Sequence, residues 1–119
     1  MQGYESIFIL DPNVTEEDQQ GLLEKLKKTV SDNGGKVVHT AQWGRRKLAY
    51  PVKKRDYGIY HLLYLDRTSE ALNAMDTIYR FDENVIKWQN VMVDDLDEEF
   101  NKFEKLKTEG TIAQGVSER

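Results

Sequence analysis

Apolar residues recur along the first 93 positions with two different periods, and the changes of period divide the chain into elements. Tyr4 to Leu10 is a short run dominated by Ile7, Phe8, Ile9 and Leu10 that stops at the turn cluster Asp11-Pro12-Asn13, which predicts a buried strand. Leu22, Leu23, Leu26 and Val30 then recur at helical spacing, with Lys25, Lys27 and Lys28 on other faces. Thr15 followed by Asp18 supplies an N-cap, Glu16 and Glu17 suit the positive end of the helix dipole, and Gly34-Gly35 supplies the stop. Lys36 to Ala49, with Val37, Val38, Trp43, Leu48 and Ala49, and Tyr57 to Leu65, with Ile59, Tyr60, Leu62, Leu63, Tyr64 and Leu65, flank Pro51 and the polar stretch Lys53 to Asp56. They predict two strands joined as a hairpin. Thr68 or Ser69 can cap a second helix carrying Leu72, Met75, Ile78 and Tyr79, which ends at Asp82-Glu83-Asn84, and Val85 to Val93 reads as a last strand. Beyond it Leu96, Phe100, Phe103 and Leu106 make a thin apolar stripe among acids, and the end from Gly110 reads as disordered.

The order strand, helix, strand, strand, helix, strand predicts an α+β fold of the split βαβ, ferredoxin-like type. Right-handed crossovers place both helices on one face of a four-stranded antiparallel sheet. Residues 1–93 form this domain and residues 94–119 an acidic C-terminal extension. One consequence is awkward. Successive strand residues point to opposite faces, so Ile7, Phe8, Ile9 and Leu10 put apolar groups on both, and Ile59, Leu63 and Leu65 cannot share a face with Tyr60, Leu62 and Tyr64. The face without helices therefore needs a cover: the stripe after Val93 folding back, a second copy, or a partner protein.

Charge sharpens this picture. The net charge of −4 would ordinarily argue against nucleic acid, but residues 94–119 hold eight acids against four bases and carry the whole deficit. Within the balanced remainder, Trp43 to Tyr57 holds Arg45, Arg46, Lys47, Lys53, Lys54 and Arg55 against Asp56 alone, a local +5. This predicts a neutral body with a basic stripe and an acidic appendage. There is no cysteine and no apolar run long enough to span a bilayer, and the start of the chain lacks the pattern of a secretory signal. The expectation is a soluble cytoplasmic protein without cofactor, metal or small-molecule substrate. No phosphate loop, nucleophile elbow or zinc motif is present, and His39 and His61 read as surface or edge residues in different strands, so the chain is expected not to be an enzyme.

The informative segment is Trp43-Gly44-Arg45-Arg46-Lys47-Leu48-Ala49-Tyr50-Pro51. Cations beside Trp43 and Tyr50 combine phosphate binding with stacking surfaces, as RNA-binding sheets do. Those two aromatics also fit a second reading, as strand residues packed in or near the core. Gly44 within a strand predicts a bulge or a close backbone approach that re-aims the arginines. The topology sends the hairpin tip, with Lys53, Lys54 and Arg55, to the same end of the sheet as Arg80 and Lys87.

Tyr4-Glu5, the segment Trp43 to Pro51, and Tyr79-Arg80-Phe81-Asp82-Glu83-Asn84-Val85-Ile86-Lys87 together resemble the family of the sixth protein of the bacterial small ribosomal subunit, over about Met1 to Val93. The resemblance implies a structural ribosomal constituent that binds the central domain of small-subunit ribosomal RNA as a heterodimer with the eighteenth small-subunit protein. It carries RNA contacts onto Arg45, Arg46 and Lys87, with Arg80 next, while Lys53, Lys54 and Arg55 are added from the charge pattern. It also implies a partner against the sheet face or edge, where Ile7, Ile9, Tyr60 and Trp88 are the candidate contacts. Two other classes compete. A ferredoxin-like interaction or small-molecule-sensing module would homodimerise through the open face. An acylphosphatase-like enzyme would need a phosphate-cradling loop where Leu10-Asp11-Pro12-Asn13 stands.

Overall fold

The computed structural model describes residues 2–52, 54–66 and 69–109, and only the backbone of residues 49–52, 69 and 106–109. Its elements follow the order β1 (Gly3–Leu10), α1 (Glu16–Asp32), β2 (Val37–Val52), β3 (Arg55–Asp66), α2 (Ser69–Phe81), β4 (Val85–Val93) and α3 (Leu96–Glu109). The strands form one antiparallel sheet in the order β2-β3-β1-β4. This is the expected βαββαβ arrangement with one helix added.

Local signals set the boundaries of α1. Thr15 accepts a hydrogen bond at Oγ1 from the Asp18 backbone N–H (3.1 Å), Glu16, Glu17 and Asp18 fill the first turn, and Gly34 takes a φ of +80° just past the end. Leu22, Leu26 and Val30 are buried, as their spacing requires. For α2, Thr68 and the Ser69 side chain lie outside the described residues. β4 spans the residues read from the sequence, whereas β2 and β3 run farther toward each other than their apolar residues suggest. Val52 pairs with Arg55, so β3 starts inside the charged stretch Lys53 to Asp56, at Arg55.

The register resolves the two apolar faces. Ser6 pairs with Leu63 and Phe8 with His61 on the side covered by α1 and α2, while Glu5 pairs with Tyr64, Ile7 with Leu62 and Ile9 with Tyr60 on the other. Phe8, Leu10, Leu63, Leu65, Met75, Tyr79 and Val85 belong to the helix-side core. Ile7, Ile9, Trp43, Tyr60, Leu62, Tyr64 and Ile86 form a second core beneath α3, closed by Leu96, Phe100 and Phe103. Of the covers the sequence left open, the stripe after Val93 is the one the structure uses. The Phe103 ring lies 5.6 Å from Trp43, edge to face, and Phe100 stacks on His39 at 4.1 Å with an interplanar angle of 3°. His39 Nε2 lies 2.7 Å from Asp97 Oδ1, fixing the first turn of α3 to β2. Leu106 and the end from Gly110, read as stripe and disordered tail, lie outside the described side chains and residues respectively.

The expectation for His61 is overturned. It is 3% exposed on a central strand, stacked on Phe8 at 5.3 Å, with Nε2 3.0 Å from Gln19 Oε1 of α1. Its period-two relation to Ile59, Leu63 and Leu65 places it on the helix side, and Gln19 satisfies the nitrogen that burial would otherwise strand. Desolvation pushes its pKa down to about 4. The unfolded chain, with an ordinary histidine near 6.5, takes up a proton that the folded chain refuses, so stability falls as pH drops from about 6.5 toward 4. Between pH 7 and pH 5 this linkage costs about 2 kcal/mol. Urea unfolding at the two pH values should show that loss, and His61→Phe should remove most of it. An equal loss in the variant would assign it to carboxylates instead.

Candidate nucleic-acid interface

Past the pair Arg45 and Ile59, β2 and β3 have no strand of the body beside them, because the pairing of β1 with β3 ends at Leu10 and Ile59. The hairpin from Arg46 to Tyr57 is thus an arm that extends beyond the end of the sheet. Its root is shaped by the bulge expected at Gly44. The register slips between Gln42 and Gly44, and Gly44 adopts a φ of +82°, a conformation that favours glycine. The slip turns Trp43 inward, where it is 3% exposed and packs edge to face on Tyr60 at 5.6 Å. Trp43 is therefore a core residue and offers no stacking surface. The Tyr50 side chain lies outside those described.

Beyond the bulge, strand alternation separates the cations. Arg45 and Lys47 share a face with Tyr57, because Arg45 pairs with Ile59 and Lys47 with Tyr57. Arg46 pairs with Gly58 on the opposite, α3-side face. Arg45, Arg46, Lys47, Lys54 and Arg55 are all exposed, and Lys54 sits at the hairpin tip with a φ of +64°. Lys53 lies outside the described residues. Arg55 is tied down, since its Nε donates to Asp11 Oδ2 at 2.8 Å. The Asn13 backbone N–H donates to the other oxygen of Asp11 at 2.9 Å. This backbone bond, with Arg55 second, holds the Asp11 carboxyl below the usual carboxylate range.

Arg80 and Lys87 come to the same end of the sheet, as the topology predicts, but not to the arm. Arg80 is exposed in the last turn of α2, next to Asp82 and Glu83. Lys87 pairs with Ile9 on the α3-side face, where the β4 bulge after Val85 has placed it beside Ile86. Three strand spacings of about 4.8 Å separate it from the β2 edge, so it lies on the order of 14 Å from the Arg46 strand. The six described candidate cations thus occupy one end of the molecule without forming one patch, and the concentrated part is the arm. Tyr57, which sequence reading did not single out, belongs to it. The Arg45 guanidinium carbon lies 4.9 Å from the Tyr57 ring centroid. Counting by twos from Ile59 would have put Tyr57 with Arg45.

The partner candidates separate as well. Ile7, Ile9 and Tyr60 are buried together under α3, whereas Trp88 lies on the helix side, half-buried, with its ring 5.9 Å from Tyr79. No cluster of metal-ligating side chains occurs among the described residues.

The family model described as Ribosomal protein S6 matches residues 3–92, all but the first two residues of the strand-helix body and its last strand residue. The chain belongs to the ribosomal protein S6 family. A relative from Caldanaerobacter subterraneus subsp. tengcongensis, small ribosomal subunit protein bS6, is 32% identical over 95 residues, covering 80% of this chain and 100% of that protein. The bS6 protein of Thermotoga neapolitana is 33% identical over 113 residues, 94% of this chain and 89% of its own length. Among solved structures, 30S ribosomal protein S6 from Thermotoga maritima superposes with a TM-score of 0.73 at 34% identity, covering 87% of this chain and 97% of that one. This S6 family chain is a structural protein of the small ribosomal subunit and not an enzyme, and its place is the ribosome of the cytoplasm.

Proposed function

We propose that this S6 family protein binds the central domain of small-subunit ribosomal RNA through the β2–β3 arm, as a heterodimer with the eighteenth small-subunit protein. The observation that carries the reading is the arm with its root: Arg45 at the root and Arg46, Lys47, Lys54 and Arg55 beyond it, five described cations with Asp56 as the one acid among them. Arg45 and Lys47 stand on one face of the hairpin and Arg46 on the other, where Leu48 is buried in the core beneath α3, so phosphates can be met from two sides. Arg46 and Arg45 are the principal contacts, with Lys53, Lys54 and Arg55 as further contacts, and Lys87 and Arg80 meet RNA passing along the end of the sheet.

Replacing both Arg45 and Arg46 by alanine should weaken binding of the heterodimer to a central-domain transcript by roughly 10- to 100-fold and flatten the dependence of log affinity on log salt by about two. Filter binding across a salt series measures both. Unchanged affinity and slope would remove these residues from the RNA contact.

The partner reading is affected by α3. Ile7, Ile9 and Tyr60 serve as contacts for the eighteenth protein only if α3 moves off the sheet, and Trp88 would require a separate approach from the helix side. The competing homodimer through an open sheet face loses its surface, because that face is filled by Leu96, Phe100 and Phe103.

A further inference from the structure

We propose that Tyr57 and Arg45 together form a stacking platform for one unpaired base of the bound RNA, with Lys47 at the adjoining phosphate. The proposal rests on the RNA-binding reading and deepens it. Tyr57 is 41% exposed, one of three large apolar side chains so exposed among the described residues, and it packs into neither core. The Arg45 guanidinium lies over its ring, 4.9 Å from the centroid. Structural need does not explain an aromatic there, because the arm is held at its root by the Gly44 bulge and near its tip by Arg55 on Asp11.

What the pair offers is a flat, partly desolvated surface with a positive charge spread across it. Bases stack on tyrosine rings and on guanidinium planes alike, and an arginine already placed over a ring is pre-oriented for that contact. Lys47 lies directly across from Tyr57 in the strand register, within reach of the phosphate that follows a stacked base. A duplex cannot use this surface, since its bases are already stacked on one another. The platform therefore selects an unpaired nucleotide, while Arg46 on the opposite face makes contacts indifferent to base pairing. Trp43 would have been the obvious stacking residue of the basic segment, and its burial leaves Tyr57 as the exposed aromatic among the described side chains of the arm.

The test compares the full-length wild-type chain with Tyr57→Leu and Tyr57→Phe, each as the heterodimer with the eighteenth small-subunit protein. The probes are a small-subunit central-domain transcript, with single-stranded oligouridylate and an RNA duplex as competitors. Tyr57→Leu is expected to weaken transcript binding by about 5- to 50-fold with an unchanged salt slope, and to lose the preference for oligouridylate over duplex. Tyr57→Phe keeps the ring and should stay within about twofold of wild type. A coincident urea midpoint for all three proteins shows that the loss is not unfolding. Wild-type-like binding by Tyr57→Leu overturns the platform and leaves the RNA reading standing. A reduced salt slope in Tyr57→Leu overturns it too, by showing that a displaced cation causes the loss. Failure of wild type to bind the transcript overturns both.

Discussion

Truncation after Val93 is expected to leave a folded protein that is weakened by as much as about 5 kcal/mol and that self-associates. Both effects come from α3. Leu96 is fully buried and Phe103 is 7% exposed, and burying each such side chain contributes roughly 1.5–3 kcal/mol. The half-buried Phe100, stacked on His39 and edge to face with Tyr64 at 5.8 Å, adds to that. A domain of this size has about 5–15 kcal/mol in total, so the loss is a large fraction of it. The fold survives because four strands and two helices, with the whole helix-side core, precede the cut. What is uncovered is Ile7, Ile9, Trp43, Tyr60 and Tyr64 on one face, a contiguous apolar patch of the kind that finds another protein surface. Urea unfolding should show the lower midpoint, and light scattering the larger species. A monomer with an unchanged midpoint would mean that α3 does not cover the sheet in solution. The same variant bears on the proposed heterodimer. Tighter binding of the eighteenth protein by the truncated chain would place the partner on Ile7, Ile9 and Tyr60, and equal binding would place it on a surface that α3 leaves free.

Phe8→Ala is expected to cost about 3–5 kcal/mol, the largest effect of a single substitution. Phe8 has no exposed surface and lies between His61 at 5.3 Å and Tyr79 at 5.1 Å. Both neighbours are amphipathic. Tyr79 shares a hydrogen bond of 2.8 Å with Ser6 Oγ, and burial raises its pKa well above that of an ordinary tyrosine, the hydrogen bond to Ser6 opposing the rise. His61 is bonded to Gln19. Phe8 is thus the apolar spacer that fixes two buried polar pairs in their geometry. Its removal leaves a cavity on a central strand, where neighbours bonded on both sides cannot collapse into it. Thermal or urea unfolding of Phe8→Ala reads the loss, and a cost below about 1 kcal/mol would show that the sheet does relax into the space.

Much of this architecture was legible in the sequence because the deciding signals are local. Thr15 and Gly34 bound α1, and the turn cluster Asp82-Glu83-Asn84 sets off Val85 to Val93 without any tertiary knowledge. The apolar residues on both faces of Tyr4 to Leu10 also required a cover for the second face, and Leu96, Phe100 and Phe103 have the helical spacing to supply it. Residue type alone misplaces His61 and leaves Trp43 open between stacking surface and core, because strand parity decides which way each points. For His61 parity alone suffices, counted from Leu63. For Trp43 it does not, since the bulge at Gly44 shifts the count by one and is itself visible only as a glycine. Lys53 to Asp56 reads as a polar connection because it is wholly charged, yet Arg55 and Asp56 continue β3, since an exposed strand end needs no apolar residues to pair its backbone. Tyr57 was passed over as the first apolar residue of a strand, when it is the last residue of the arm before the body begins.

The strand order has a temporal consequence. β1, the first strand to be synthesised, sits between β3 and β4, so neither of its edges can be paired until residues 55–66 and then residues 85–93 have been made. Translation must reach β4, at residues 85–93, before β1 has both neighbours. The β2–β3 hairpin, by contrast, joins residues that are adjacent in sequence, and local pairings of this kind close early whereas distant ones wait. The basic arm can thus be in place while the sheet that supports it is still incomplete. The extension arrives last of all, and α3 can lie down only on a surface that the meeting of first and last strands has just created.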